Sequence, residues 1–212
     1  MTNVGKIILL CELSISNSIC DGWRCDLLDL RELVDEFFLY AQANNIEIYN
    51  EFSLQHEVGI FLRERLQGYL VQFERNVSYF TSDIKTTKKE IDIAIFNEDK
   101  SEKYAIELKC PLNGQYPEQM YSFVKDIKFM EELKDRGFNK TAVVTLVSDR
   151  PFYEGRNNEG IYKYFREEYA VYGQIFKPTG HLKGVEFIEL KGRYDFSWRA
   201  TYKNSKYYVI EI

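Results

Sequence analysis

The sequence predicts an α/β fold: a mixed central sheet flanked by helices, with further antiparallel strands toward the C-terminal end. Three observations carry that expectation. Apolar residues recur at helical spacing over 26–43, 53–67 and 117–137; apolar and polar residues alternate strictly over 90–96 and 103–109; and 141–147, Thr-Ala-Val-Val-Thr-Leu-Val, is an unbroken apolar run of the kind buried on both faces of a sheet.

Taken in order, residues 5–12 read as a short apolar strand. The first helix runs from Asp26 to Ala43 with Leu27, Leu30, Val34, Phe37, Phe38 and Ala41 on one stripe. The second starts at Ser53 as N-cap and reaches Gln67 before Gly68, with Leu54, Val58, Phe61, Leu62 and Leu66 inward. An imperfect alternation over 69–80 reads as a strand, and the segments 90–96 and 103–109 form a hairpin about the polar turn from Asn97 to Glu102. Pro117 opens the third helix, whose stripe is Met120, Phe123, Val124, Ile127, Met130 and Leu133, and Gly137 ends it. After the apolar strand come a loop from Ser148 to Asn158, a short aromatic-rich helix over 159–169, and two or three antiparallel strands over 185–212. With no compositional break, residues 1–212 are expected to form one domain: a motif region at 51–147, an N-terminal strand and helix in 1–50, and a β extension over 150–212.

Composition narrows the chemistry. A chain of 212 residues, 45% apolar and 29% charged, can bury a sizeable core. The run Ile7-Ile8-Leu9-Leu10 is too short for a membrane span or a signal segment, so a cytoplasmic location is expected. Cys20 and Cys25 are five apart, Cys11 lies in an apolar run and Cys110 ends a strand, which is no metal-binding pattern, and reduced thiols follow. His56 and His181 are too few for a histidine metal site, so any metal must be held by carboxylates, which suits Mg²⁺ or Mn²⁺. The net charge of −5, from 28 Lys and Arg against 33 Asp and Glu, weighs against non-specific nucleic-acid binding. A bound divalent ion would change the local field that matters there.

The hairpin carries the chemistry. Ile91, Ile93 and Ile95 share one face of the first strand, which leaves Glu90, Asp92 and Ala94 on the other; Tyr104, Ile106 and Leu108 leave Ala105, Glu107 and Lys109. A turn centred on Asp99-Lys100 pairs Phe96 with Lys103 and sets Asp92 opposite Glu107. Directly opposed carboxylates destabilise a sheet unless something compensates. The small Ala94 and Ala105 leave room, and a divalent cation is the simplest compensation. Glu57, on the inward stripe of its helix, is a further carboxylate that is costly unless paired or metal-bound.

A helical Glu57, then Ile91-Asp92, then Glu107-Leu108-Lys109, followed by a helix and a buried strand, resembles the PD-(D/E)XK nuclease superfamily over roughly residues 51–147. One departure is Ile91 where the family name has Pro. The resemblance implies a restriction-endonuclease-like αβββαβ core and a nuclease that hydrolyses nucleic-acid phosphodiester bonds, with DNA as the expected partner; a homodimer is a separate expectation. It implies that Asp92, Glu107 and the Leu108 carbonyl bind Mg²⁺ or Mn²⁺, with Glu57 joining directly or through water. Lys109 would then orient the attacking water or steady the transition state. Glu90 shares the face of Asp92, and whether it assists is open. Some branches of the family carry Gln followed four residues later by Tyr on the next helix; here Gln119 is followed by Phe123.

Other residues are weaker candidates for nucleic-acid contact. Lys125 and Lys128 could contact a backbone phosphate, but a solvated charged face accounts for them better. Near the C-terminal end Tyr194, Phe196, Trp198, Ala200 and Tyr202 share one face and Arg193, Arg199 and Lys203 the other. An aromatic face is more often core or a dimer contact than a stacking surface for bases. Two competing readings remain: a nuclease-like fold that binds nucleic acid or a protein without cutting, and an interaction protein whose Asp92 and Glu107 face solvent, neutralised by Lys89 and Lys109.

Overall fold

The computed structural model describes residues 27–83, 85–112 and 114–212. The strand expected at 5–12 and the cysteines Cys11, Cys20 and Cys25 lie outside the described residues.

Helix α1 (Leu30–Ala43) starts at Asp29, whose carboxylate accepts the Glu32 N–H at 2.8 Å. Five of its six expected stripe residues are buried; Leu27 precedes the helix and is 47% exposed. Helix α2 (Glu51–Arg65) begins earlier than expected because Asn50, not Ser53, is the N-cap. Ser53 sits three residues on and completes a reciprocal pair: its N–H donates to Asn50 Oδ1 at 2.7 Å and its Oγ accepts the Asn50 N–H at 3.0 Å. That shift places Glu51 in the first turn of α2.

Strands β1 (Leu70–Asn76), β2 (Glu90–Phe96) and β3 (Lys103–Lys109) form an antiparallel meander. Helix α3 (Tyr116–Asp135) then carries the chain across to β4 (Lys140–Val147), which lies parallel to β3, as a parallel pair requires such a crossover. Strands β2, β3 and α3 coincide closely with expectation. A short α4 (Tyr162–Arg166) stands where a longer helix is predicted. Strand β5 (Ala170–Phe176) has no counterpart in the sequence reading, because a register shift between Tyr172 and Gln174, at Gly173 with φ +68°, breaks its alternation. It pairs with β6 (Phe187–Asp195), and β7 (Arg199–Ala200) and β8 (Lys206–Glu211) complete the chain.

Among the described residues the architecture is α/β, with a mixed six-stranded sheet, order β1-β2-β3-β4-β8-β7, and a separate β5–β6 hairpin. Helices α1 and α2 cover one face over Ile93, Ile95, Ile106, Leu108, Val144 and Val209; α3, α4 and the hairpin cover the other over Ala94, Phe96, Ala105, Val143 and Tyr208. The alanine pair therefore lies under α3 instead of opening a space. Ile91 also departs from expectation, packing on the α3 side while Ile93 and Ile95 face α1 and α2. The single aromatic strand face expected over 194–202 is interrupted after Asp195; Phe196 and Trp198 turn inward, 4.5 and 4.9 Å from the Tyr208 ring. Among the described residues, no helix is long and apolar enough to cross a membrane.

Glu131 ties α3 to the β5–β6 hairpin. It is 3% exposed, and its Oε1 accepts from the N–H groups of Lys191 and Gly192 at 2.7 and 3.1 Å and from the Tyr194 hydroxyl at 2.8 Å, while Lys128 lies 3.3 Å from Oε2. Removing it strands two backbone donors and a phenol. Glu131→Ala should lower unfolding free energy by about 2–4 kcal/mol in a urea titration. A loss below about 0.5 kcal/mol would show that the hairpin does not depend on this anchor.

Candidate functional site

The strand ladders locate the site. Strand β2 pairs with β3 from Ile93–Ile106 to Phe96–Lys103, the expected register, and no further toward Asp92. From there β3 continues along β4, with Glu107 opposite Val143 and Lys109 opposite Thr145, while β2 continues along β1. On the β1 side, Glu74 adopts φ +49° and the register skips the Glu74–Asp92 position. Asp92 thus sits mid-strand with neither neighbour in a ladder. Its backbone must be satisfied otherwise, because buried peptide groups are costly to leave unpaired.

Side chains supply what the ladders omit. Glu107 Oε1 accepts the Asp92 N–H at 3.2 Å, and Asp92 Oδ2 accepts the Leu108 N–H at 2.7 Å. Gln55 Nε2 donates to the Asp92 carbonyl at 2.7 Å and to Glu74 Oε1 at 2.6 Å. The two carboxylates expected to oppose each other do meet here, interlocked through each other's strand. This interruption also explains why Ile91 and Ile93 face opposite layers.

Around this pair stand groups that the sequence reading did not single out. Lys88, just before β2, places its ammonium on Glu107 Oε2 and 3.2 Å from Asp126 Oδ1. Asp126 of α3 is 2% exposed, and its Oδ2 has no hydrogen-bond partner; Lys109 Nζ lies 3.6 Å away. Lys109 also donates to Glu51 Oε1 at 3.2 Å and to the Leu108 carbonyl at 3.1 Å. The Leu108 carbonyl, expected as a ligand, accepts from that ammonium instead.

Glu51 is the helical carboxylate that bonds to the cluster. Glu57 contacts His56 at 3.3 Å and lines a shallow groove with Tyr49, Phe52 and Phe73. Glu51, six residues earlier and about 1.7 turns back, reaches the cluster, bonding Lys109 and accepting the Cys110 N–H at 3.2 Å. The stripe is read from apolar neighbours, whereas contact with the site requires the helix's first turn, which the misassigned N-cap conceals. Asp126 carries a visible signal, since it falls between Phe123, Val124 and Ile127 on a buried face.

The peripheral candidates lie elsewhere. Arg193 pairs with Asp195 at 3.1 Å and Arg199 pairs with Asp35. Lys128 is committed to Glu131 and the Glu189 carbonyl, and Lys125 lies 5.4 Å over the Tyr121 ring. Gln119 sits in the second turn of α3. Glu90 is exposed at the start of β2.

The electrostatics follow from burial. Desolvation raises the Asp92 carboxyl to about 6 against the opposing pull of Lys88, the Leu108 N–H and Lys109. Burial, then the charges of Asp92 and Asp126, hold Glu107 well above the carboxylate range; burial also raises Asp126. Burial acts against charge on Lys88 and Lys109, but the carboxylates around them outweigh it and both ammoniums titrate higher than usual. Burial, with Glu51 adding, pushes the Cys110 thiol up to about 11, which leaves it a poor nucleophile.

Four carboxylates, Glu51, Asp92, Glu107 and Asp126, thus meet two ammoniums, Lys88 and Lys109. Among the described residues, no group of three or more His, Cys, Asp or Glu side chains stands in an arrangement ready to hold a metal ion. The donor chemistry nevertheless fits a hard divalent cation: all oxygen, in charge excess, with one buried carboxylate oxygen unpartnered.

Asp92 gives a stability test whose sign is fixed. An acid held at about 6 in the fold, against 3.8 unperturbed, keeps its proton over a pH range where the unfolded chain has released it. Its contribution is therefore favourable below about pH 4 and is lost as pH rises through 6. Asp92→Asn retains an acceptor for the Leu108 N–H and removes the charge. In EDTA at pH 8 it should raise stability by about 2–3 kcal/mol, with the gain shrinking toward pH 4. Equal or lower stability of the variant at pH 8 would contradict this balance.

No family model matches the chain, and neither the curated proteins nor the solved structures include a match to it.

Proposed function

We propose that the protein is a metal-dependent nuclease that hydrolyses nucleic-acid phosphodiester bonds, with DNA as substrate. The observation that carries this reading is the meeting of Asp92 and Glu107 at the break between β2 and β3, with Lys109 on the same strand end. Asp92 and Glu107 would hold Mg²⁺ or Mn²⁺. The cation, when bound, supplies charge stabilisation at the phosphoryl oxygens and acidifies water. Lys109, held by Glu51 and the Leu108 carbonyl, presents a fixed positive charge that positions a nucleophilic water and steadies the charge that develops during displacement. The restriction-endonuclease-like identity of the fold is part of the same proposal; the order α2-β1-β2-β3-α3-β4 and the parallel β3–β4 pair support it.

A second reading, a nuclease-like fold that binds nucleic acid or a protein without cutting, draws on one observation. Lys88 already neutralises Glu107 and Asp126 from within the chain.

Plasmid, linear and single-stranded DNA incubated with Mg²⁺ or Mn²⁺ separate the two. The nuclease reading expects metal-dependent cutting that falls at least about 100-fold in Asp92→Ala and Lys109→Ala. Glu51→Gln should lose about tenfold by releasing Lys109, while Glu57→Ala should stay within about twofold of wild type. Absence of cutting on every substrate with folded protein would transfer the assignment to the binding reading.

A further inference from the structure

Asp126 is buried, belongs to neither sequence motif, and has one carboxylate oxygen with no hydrogen-bond partner. A buried carboxylate is costly unless its lone pairs are used. Its other oxygen shares the Lys88 ammonium with Glu107, so two carboxylates converge on one positive charge. That ammonium thus joins β3 to α3 through Glu107 and Asp126, the two acids that would hold a cation there.

The way Lys88 is held bears on this. Its backbone neighbours are fixed: the Thr87 N–H and hydroxyl donate to Glu132 at 2.6 and 2.8 Å, and the Lys89 carbonyl accepts the Val77 N–H at 2.8 Å. Its side chain, by contrast, is 31% exposed, unlike Glu107 at 0% and Asp126 at 3%. The ammonium has a route to water without any movement of the segment that carries it, because a long flexible stem can turn its head outward. The carboxylates have no such route.

We propose that Asp126 is a third carboxylate ligand of the divalent cation, and that Lys88 is a tethered counter-ion which holds Glu107 and Asp126 until the cation displaces it. The inference rests on the metal-site reading above and assigns two residues to it. Lys88 and the cation compete for the same oxygens. The Lys88 ammonium, with Lys109 beside Asp126, therefore compensates the buried carboxylates in the metal-free protein, at the expense of metal affinity. Asp126 Oδ2, which has an ion pair with Lys109 at 3.6 Å but no hydrogen bond, would gain a direct bond in the loaded state.

The test is Mn²⁺ binding to the full chain, by calorimetry and by the loss of the free-ion electron paramagnetic resonance signal. The variants are Lys88→Met, Lys88→Arg and Asp126→Asn, each first checked for a cooperative melt; Lys88→Gln replaces the methionine variant if that one does not fold. Removing the competing charge should tighten Mn²⁺ binding at least tenfold in Lys88→Met, whereas Lys88→Arg, which keeps the charge, should not tighten it. Asp126→Asn should weaken binding at least tenfold. Unchanged or weaker binding in Lys88→Met, or unchanged binding in Asp126→Asn, overturns the proposal. Mn²⁺ affinity that follows residues 88 and 126 without any DNA cutting supports it and removes only the nuclease reading. Cutting with an affinity indifferent to both residues does the reverse. No Mn²⁺ binding by wild type or by Lys88→Met overturns both.

Discussion

At one position in the middle of a central strand, the sheet withholds both of its ladders. Strand β2 joins β3 only from Ile93 onward, and β1 skips its partner at Glu74, so Asp92 has a backbone N–H and carbonyl with no strand to receive them. Glu107 and Gln55 take those roles, and Asp92 in turn takes the Leu108 N–H. Every other feature of the cluster follows from this requirement. Two carboxylates are fixed at bonding distance from backbone groups, so neither can retreat to solvent. Their charge must then be met inside the molecule, which draws in Lys88 from the segment before β2 and Lys109 from the end of β3. Asp126 and Glu51 balance those lysines from opposite helical layers.

The arrangement is costly in the sense that matters for a site. Charged groups taken from water lose several kcal/mol each, and mutual attraction recovers that only when every lone pair is used. Here one Asp126 oxygen is not used, and Asp92, Glu107 and Asp126 all hold protons more tightly than free carboxyls. A cluster serving only to join elements gains nothing from such crowding, and apolar residues would fill the same volume with less strain. Local conflict of this kind inside an otherwise consistent fold is where function is expected.

Strand alternation alone discloses β2, β3 and their register from Ile93–Ile106 to Phe96–Lys103, because a two-residue period and a hairpin turn fix register locally; the ladder ends before Asp92, which meets Glu107 through side-chain bonds instead. The apolar run 141–147 discloses β4 for the same reason. What escapes the sequence is set by distant contacts. The exchange of Glu57 for Glu51 depends on which of Asn50 and Ser53 caps α2, and both are good caps in isolation. Lys88 sits in a polar stretch with no periodicity, and its importance arises only when α3 brings Asp126 beside it. Strand β5 hides behind the shift at Gly173, and the arginines 193 and 199 read as free charges until Asp195 and Asp35 fold onto them.

Helix α3 presents two acids to two different layers: Asp126 to the strand break and Glu131 to the β5–β6 hairpin, five residues and therefore about 140° apart around the axis. Both are buried, and each meets partners on a different element. Insertion or deletion of a single residue between them would rotate one acid by about 100° relative to the other, so one layer would lose its partner whichever end held its place. The interval from 126 to 131 is thus a fixed ruler within the chain. The turn at Asn97–Glu102 holds no such pair of buried acids, so a change of length there would leave both partners of α3 in place and cost only surface bonds such as that from Lys100 to the Tyr79 carbonyl.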